Sequence, residues 1–325
     1  MRDISNIYTD LALEAASDFS ELDGVTITSE DNTEAEIVTT VVNIHNANGE
    51  AQLRKPIGTY ITLESPLLTE NNPTAHEVIV RELADRLGRL HGLAEDAVVL
   101  VVGLGNWNVT PDALGPKVIS RVLVTRHITG TDAVASDIES SVRPVCAVTP
   151  GVMGITGIET GEIVRGIVDR VRPDLVVAID ALAARSISRI NCTIQMSNAG
   201  VNPGAGLGNK RMELNAQTLG VPVIAIGVPT VVDAATLISD SLDCILDDII
   251  KQSGESSQFY AMLRDLQSQE KHALVQEALA PCAGNMFVTP KEVDAVIVRL
   301  AGIIANAINI ALHPGITPQD INKYF

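Results

Sequence analysis

Aromatic side chains make up only 3% of this 325-residue sequence, with one tryptophan, and its 23 lysines and arginines are outnumbered by 40 aspartates and glutamates. The resulting formal charge of -17 repels phosphate backbones, and no basic cluster with interleaved aromatics offsets it, so direct nucleic-acid binding is not expected. Cysteine is also scarce. Cys146, Cys192, Cys244 and Cys282 have no C-x-x-C spacing and no secretory context, which suits buried thiols in a reducing compartment better than disulfides or zinc ligands. The six histidines (His45, His76, His91, His127, His272, His313) lack metal-binding spacing, so no metal or other cofactor is expected. Met1 to Asp10 is polar, without the charged-then-apolar pattern of a signal peptide, and the expected location is cytoplasmic. The longest apolar stretch, Val293 to Leu312, is interrupted by Asp294, Arg299, Asn306 and Asn309. Its apolar residues recur at intervals of three and four, as in a core-facing helix and not a membrane span.

What is abundant is apolar residues, 46% of the chain, enough to fill the core of a large α/β fold. Val25 to Thr28, Ile37 to Ile44 and Thr59 to Leu63 read as antiparallel strands, with Asn48-Gly49 as a hairpin turn between the second and third. Pro73 to Glu77 offers a capping box for a helix reaching about His91. From there the pattern changes. Ala97 to Val102, Leu175 to Ile179 and Val221 to Ile226 are continuous apolar runs, alternating with helical segments such as Leu114 to Leu123 and Glu162 to Val171. That alternation predicts a mostly parallel central sheet covered on both faces, with an antiparallel N-terminal hairpin added. Residues 251–285 form a polar stretch with no clear buried face, expected as a peripheral insertion in a single domain.

Ligands of an open parallel sheet gather beyond the carboxyl ends of its strands. Three acids follow the apolar runs there: Asp112, Asp180 and Asp233. Asp112 has an alternative use, because Thr110 and Pro111 could open a helix whose positive end it would complement. Asp180 could instead form an ion pair with Arg185 or Arg189. Asp233 fits a capping box with Thr230. The turn Gly103-Leu104-Gly105-Asn106 could cradle phosphate, but Asn108 stands where the dinucleotide fingerprint requires glycine. His127 could be a base or ligand, or a cation at a helix C-terminus.

Several strings resemble one family, the bacterial spore germination proteases. They are Val102 to Pro116, Val124 to His127, Thr149 to Gly154, Thr156 to Thr160, Ile179 to Ser186, Gly208 to Arg211 and Gly220 to Ala234. The resemblance implies a three-layer α/β sandwich similar to the hydrogenase maturation endopeptidases, and it implies Asp112 and Asp180 as the catalytic pair. No metal ligand carries over. It implies an atypical aspartic endopeptidase made as a zymogen, a homotetramer of the spore core. Its substrates would be small acid-soluble spore proteins, cut at a site like Thr-Glu-(Phe/Ile)-Ala-Ser-Glu after the first glutamate. Thr9-Asp10-Leu11-Ala12-Leu13-Glu14 is a version of that site, so the expected self-cleavage falls between Asp10 and Leu11, removing residues 1–10 as a propeptide. One aspartate would activate water and the other protonate the leaving amine, with Gly103, Gly105 and Asn106 as a candidate oxyanion or substrate loop. The rival readings are a nucleotide- or phosphate-binding α/β protein and a metal-dependent maturation protease.

Overall fold

The computed structural model describes residues 9–17, 19, 22–129, 142–203, 212–238, 241 and 286–320. Its strands in chain order are β1 (Val25–Asn32), β2 (Ile37–Ile44), β3 (Gly58–Glu64), β4 (Val99–Gly103), β5 (Val145–Val148), β6 (Leu175–Ala184), β7 (Thr193–Ser197), β8 (Val223–Asp233) and β9 (Phe287–Val288). They form one sheet ordered β1-β2-β3-β7-β8-β6-β4-β5, with β9 paired to β8. The fold is α/β, but the sheet is mixed and not mostly parallel. Only the pairings β4–β5, β4–β6 and β6–β8 are parallel; β7 runs antiparallel to both β8 and β3. The short link from Ala184 to Thr193 is the reason, since a parallel return needs a crossover of a dozen residues or more. Through β7 the N-terminal antiparallel strands join the same sheet as the parallel ones.

The parallel strands are apolar on both faces, as the continuous runs predict. Val99 and Val101 of β4, with Leu175, Val177 and Ile179 of β6, pack into one cluster, while Leu100, Val102, Val176 and Ala178 face another. The α-helices of six residues or more among the described residues are α1 (Ala12–Ser17), α2 (Ala47–Leu53), α3 (Pro73–His91), α4 (Leu114–Ile119), α5 (Thr160–Val171) and α6 (Val293–Leu312). Ile79, Leu83 and Leu87 of α3, Leu114 of α4 and Ile297, Leu300 and Ile304 of α6 build the first cluster; Val164 and Val168 of α5 belong to the second. The α6 helix is long and apolar enough to cross a membrane, yet 61% of its most apolar window is buried inside the fold.

Local signals differ from the expected ones at several ends. Asn48-Gly49 is not a hairpin turn but the first turn of α2, because the Asn46 side chain accepts from the amides of Asn48 and Gly49 and caps a helix there. Asn72, not Thr74, caps α3, accepting from Ala75 N–H. Thr230 does not cap with Asp233: its hydroxyl donates to Pro111 C=O, and Asp233 accepts from Thr236 N–H. The helix after Asp112 ends at Ile119, so His127 is an exposed turn residue and not a helix-end cation. Cys146 and Cys192 are half-buried free thiols; Cys244, Cys282 and residues 251–285 lie outside the described residues.

One detail holds the site-bearing end together and a second holds the opposite end. Beyond β4 the chain folds back, and a Cβ on Gly105, whose φ is +107°, would lie 2.0 Å from the Asp112 carbonyl oxygen. At the end of α6, buried His313 accepts from Arg143 N–H through Nδ1 (3.3 Å) and donates through Nε2 to Leu123 C=O (3.1 Å). Burial, aided by the Arg143 charge and opposed by the Leu123 bond, lowers its pKa from 6.5 to about 4.

Each detail generates a measurement. Gly105→Ala meets both a backbone clash and an unfavourable φ, and should cost about 1–3 kcal/mol in chemical denaturation, read as a lowered midpoint at unchanged slope. For His313 the unfolded chain takes up the proton first. Its contribution is therefore complete above pH 6.5 and shrinks as pH falls towards about 4. In His313→Gln the acid-side decline of unfolding free energy should be shallower than in wild type, by up to about 1.4 kcal/mol per pH unit within that window.

Candidate functional site

Asp180 sits inside β6, not at its end. The strand continues for four residues past it, because Leu182 and Ala184 find a second apolar environment with Leu11, Ile190 and Val232. Asp180 is only 6% exposed and lies in register with Gly227 of β8. A carboxylate on so dry a strand is costly unless polar groups meet it. One does so locally: Ala181 N–H donates to Oδ1 at 2.9 Å.

Asp112 reaches the same place from the turn after β4. Leu104 N–H donates to Ile179 C=O (2.8 Å), tying the turn to the residue before Asp180. Asn106 N–H is directed at Asp112, donating to its Oδ2 (2.8 Å) and its C=O (3.0 Å). The Thr230 hydroxyl on Pro111 C=O (2.8 Å) fixes the other side. Both aspartates line one cavity of about 660 Å³, together with Asp10, Lys55, Tyr60, Gln195 and Gly227. Gly103, Gly105 and Asn106 are outside its lining, and the Asn106 amide is engaged by Asp112. In this arrangement the glycine turn positions a carboxylate, which is the opposite of what a phosphate would ask of it.

The N-terminal segment is docked across this cavity. Asp10 N–H donates to Ala183 C=O (3.0 Å), and Ala183 N–H returns a bond to Asp10 Oδ2 (2.8 Å). Beside it the β6–β8 ladder shifts register between Leu182 and Ala183, with Thr230 as the extra residue on β8. Gln195 donates through Nε2 to Asp10 C=O (3.2 Å) and accepts Ala12 N–H through Oε1 (2.7 Å). Leu11 between them is fully buried.

Charge is matched at both ends of the segment. Lys55 donates to Thr9 C=O (2.9 Å). Burial lowers its pKa, and the nearby Asp10 and Glu14 oppose that shift. Glu14, 2% exposed, accepts from Arg185 N–H (2.8 Å), Ser186 N–H (3.0 Å), the Arg189 guanidinium (3.3 Å) and the Thr9 hydroxyl. Arg189 also donates to Glu64 (2.8 Å); burial works against its charge, and the two glutamates more than restore it. Arg189 therefore serves Glu14 and Glu64. Among the described residues no three His, Cys, Asp or Glu side chains are placed to share a metal ion.

Sequence reasoning thus selected Asp112, Asp180, Asp10 and Leu11; the fold brings the first three to the cavity lining and buries Leu11 in the apolar cluster beside it. It missed Lys55 and Gln195, and it read Glu14 only as the last residue of a cleavage-site string. The available signal for Gln195 was a lone long polar side chain in the run Thr193-Ile194-Gln195-Met196; for Lys55 nothing local distinguishes it from a surface lysine.

A family model described as Germination protease matches residues 3–258 and 247–325. The chain is 47% identical to the germination protease of Clostridium perfringens (strain 13 / Type A) over 324 residues, covering 98% of this chain and 99% of that one. It is 48% identical to that of Clostridium acetobutylicum over 329 residues, with 99% of each covered. A more distant relative, the germination protease of Bacillus thuringiensis subsp. konkukian, is 40% identical over 361 residues, covering 98% of this chain and 97% of its own. Matches of this length and level place the chain in the germination protease family.

Proposed function

We propose that this protease hydrolyses peptide bonds with Asp112 and Asp180, and that its first substrate is its own chain between Asp10 and Leu11. The observation that carries the reading is that Asp10, Asp112 and Asp180 line the same cavity. Two carboxyls in one partly dry cavity disfavour double ionisation, so one retains a proton while the other remains a base. The ionised member takes a proton from water as the water oxygen bonds to the Asp10 carbonyl carbon. The protonated member then gives its proton to the Leu11 nitrogen as the carbon–nitrogen bond breaks. The products are a new carboxyl group at Asp10 and an amine at Leu11, which settle as carboxylate and ammonium by passing the carboxyl proton to the amine, and the pair ends with the same single proton it began with.

The finer identity follows the family resemblance. Small acid-soluble spore proteins are the proposed substrates in the spore core, residues 1–10 the proposed propeptide, and a homotetramer the proposed assembly. The kinship in fold with hydrogenase maturation endopeptidases belongs to the same reading. Docking of Thr9 to Glu14 supports it, because an acid precedes and a second acid follows the bond in question.

Incubation of the purified chain should convert it to a species beginning at Leu11, followed by intact mass and N-terminal sequencing. Asp112→Asn and Asp180→Asn should each slow that conversion by roughly a hundredfold or more, the scale of a lost general acid or base. A variant that converts at the wild-type rate removes its aspartate from the mechanism.

A further inference from the structure

We infer that the groups gripping Thr9 to Glu14 are the substrate subsites themselves: Gln195 clamps the bond to be cut, and the Arg185 and Ser186 amides with Arg189 read an acidic side chain four residues beyond it. The inference rests on the protease reading above and assigns to it residues that sequence patterns did not supply.

Gln195 carries the first half of the argument. It is 8% exposed on β7, and both it and Asp180 pair in register with Gly227 of the intervening β8. Residues opposed in a sheet point to the same face, so the Gln195 amide and the Asp180 carboxyl stand on one face, two strand spacings or roughly 10 Å apart. A glycine lies between them. The Asp10 carbonyl, bonded by Gln195 Nε2, hangs over that row. By also accepting Ala12 N–H, Gln195 presents one donor and one acceptor as a strand edge would, and so recognises main chain irrespective of side chains. Its Nε2–H is aimed at the oxygen that becomes negative when water adds to that carbonyl, the position in which a fixed donor counts most.

The second half concerns Glu14. Two successive amides and a guanidinium converge on a carboxylate that is 2% exposed. Charge-assisted bonds of this kind are stronger than neutral ones, and a glutamine in that place would forfeit the charge while leaving acceptor-seeking donors buried. Between the two grips, fully buried Leu11 packs with Leu182, Ala184, Ile190 and Val232. The recognised pattern is then an acid, a large apolar residue, a small residue, one free position and a second acid. An arm held only for stability would need no polar grip on either side of one peptide bond.

The test uses full-length chain and two extended peptides, one containing Thr-Asp-Leu-Ala-Leu-Glu and one with Gln replacing the final Glu. Wild type should cut the Glu peptide with a kcat/KM roughly ten- to a hundredfold above that of the Gln peptide. Arg189→Gln should shrink that ratio to within a few-fold by slowing the Glu peptide alone, whereas a merely structural role would slow both alike. Gln195→Ala should lower kcat for both peptides by roughly a hundredfold with the ratio preserved. A displacement measurement reads the subsites without cleavage. In the Asp180→Asn chain, excess Glu peptide should raise deuterium uptake at Leu11 to Glu14, and the Gln peptide should do so much less. Displacement by the Glu peptide with no cutting by wild type would leave the subsites standing and remove the catalytic reading. Cutting with a Glu preference that Arg189→Gln leaves intact, and with kcat untouched by Gln195→Ala, would overturn the inference and spare the catalytic reading.

Discussion

A carboxylate in the middle of a strand buried from both sides is the constraint around which this fold is arranged. Asp180 is flanked by Ile179 at 0% exposure and is itself almost closed off from bulk solvent. Such a group stays on the strand only if the structure gives it polar company and space, since an uncompensated buried charge costs several kcal/mol. The space comes from the cavity it lines, while Gly227 at the same register on β8 makes room for the Leu182 side chain, which a Cβ there would meet at 2.5 Å. The company comes from the Ala181 amide and from a cavity shared with Asp112. The turn after β4 is shaped to bring that second acid back, with the Asn106 amide holding Asp112 in place. A sheet that needed only stability would have continued its apolar run through this point.

The same strand also explains where the N-terminal segment docks. Past Asp180 the β6–β8 ladder slips register at Leu182 and Ala183, and Ala183 spends its N–H and C=O on Asp10. The β4 pairing of β6 ends at Ile179, and beyond it Ala183 serves as the main-chain docking point for the N-terminal segment, a few residues from Asp180. Mixed topology contributes equally. Because β7 runs antiparallel to β8, Gln195 lands opposite Gly227 in the same row as Asp180. The N-terminal strands reach the sheet through β7 as well, bringing Lys55, just before β3, to the cavity wall.

Much of this was legible in the chain, and the limits are physical. Runs apolar on both faces, such as Val99 to Val102 and Leu175 to Ile179, revealed strands covered on both sides, and period-3.6 spacing revealed α3, α5 and α6. The acids after those runs were visible because a charged residue adjoining a dry strand is conspicuous. Strand direction was not legible, since an apolar run says nothing about which neighbour it pairs with; the short link before β7 was the clue to an antiparallel turn. Asn48-Gly49 misled because the competing local bond, from the Asn46 side chain, was as short in sequence as the hairpin it replaced. Lys55 and Gln195 were out of reach, for their significance lies in contacts spanning 46 and 185 residues, and the Arg185 amide that binds Glu14 lies 171 residues from it.

The chain's overall charge gives these local contacts their sense. With a formal charge of -17, the molecule as a whole repels an acidic peptide, so long-range steering cannot supply recognition. What remains is short-range: main-chain amides at Ala183, Arg185 and Ser186, and the cations Lys55 and Arg189 set beside Asp10 and Glu14. Amides carry no net charge, and half-buried cations act in a medium where their influence is strong nearby and weak at a distance. An acidic protein can thus hold acidic side chains without becoming a general binder of anions, because the attraction exists only where a peptide of the right spacing presses both carboxylates into place.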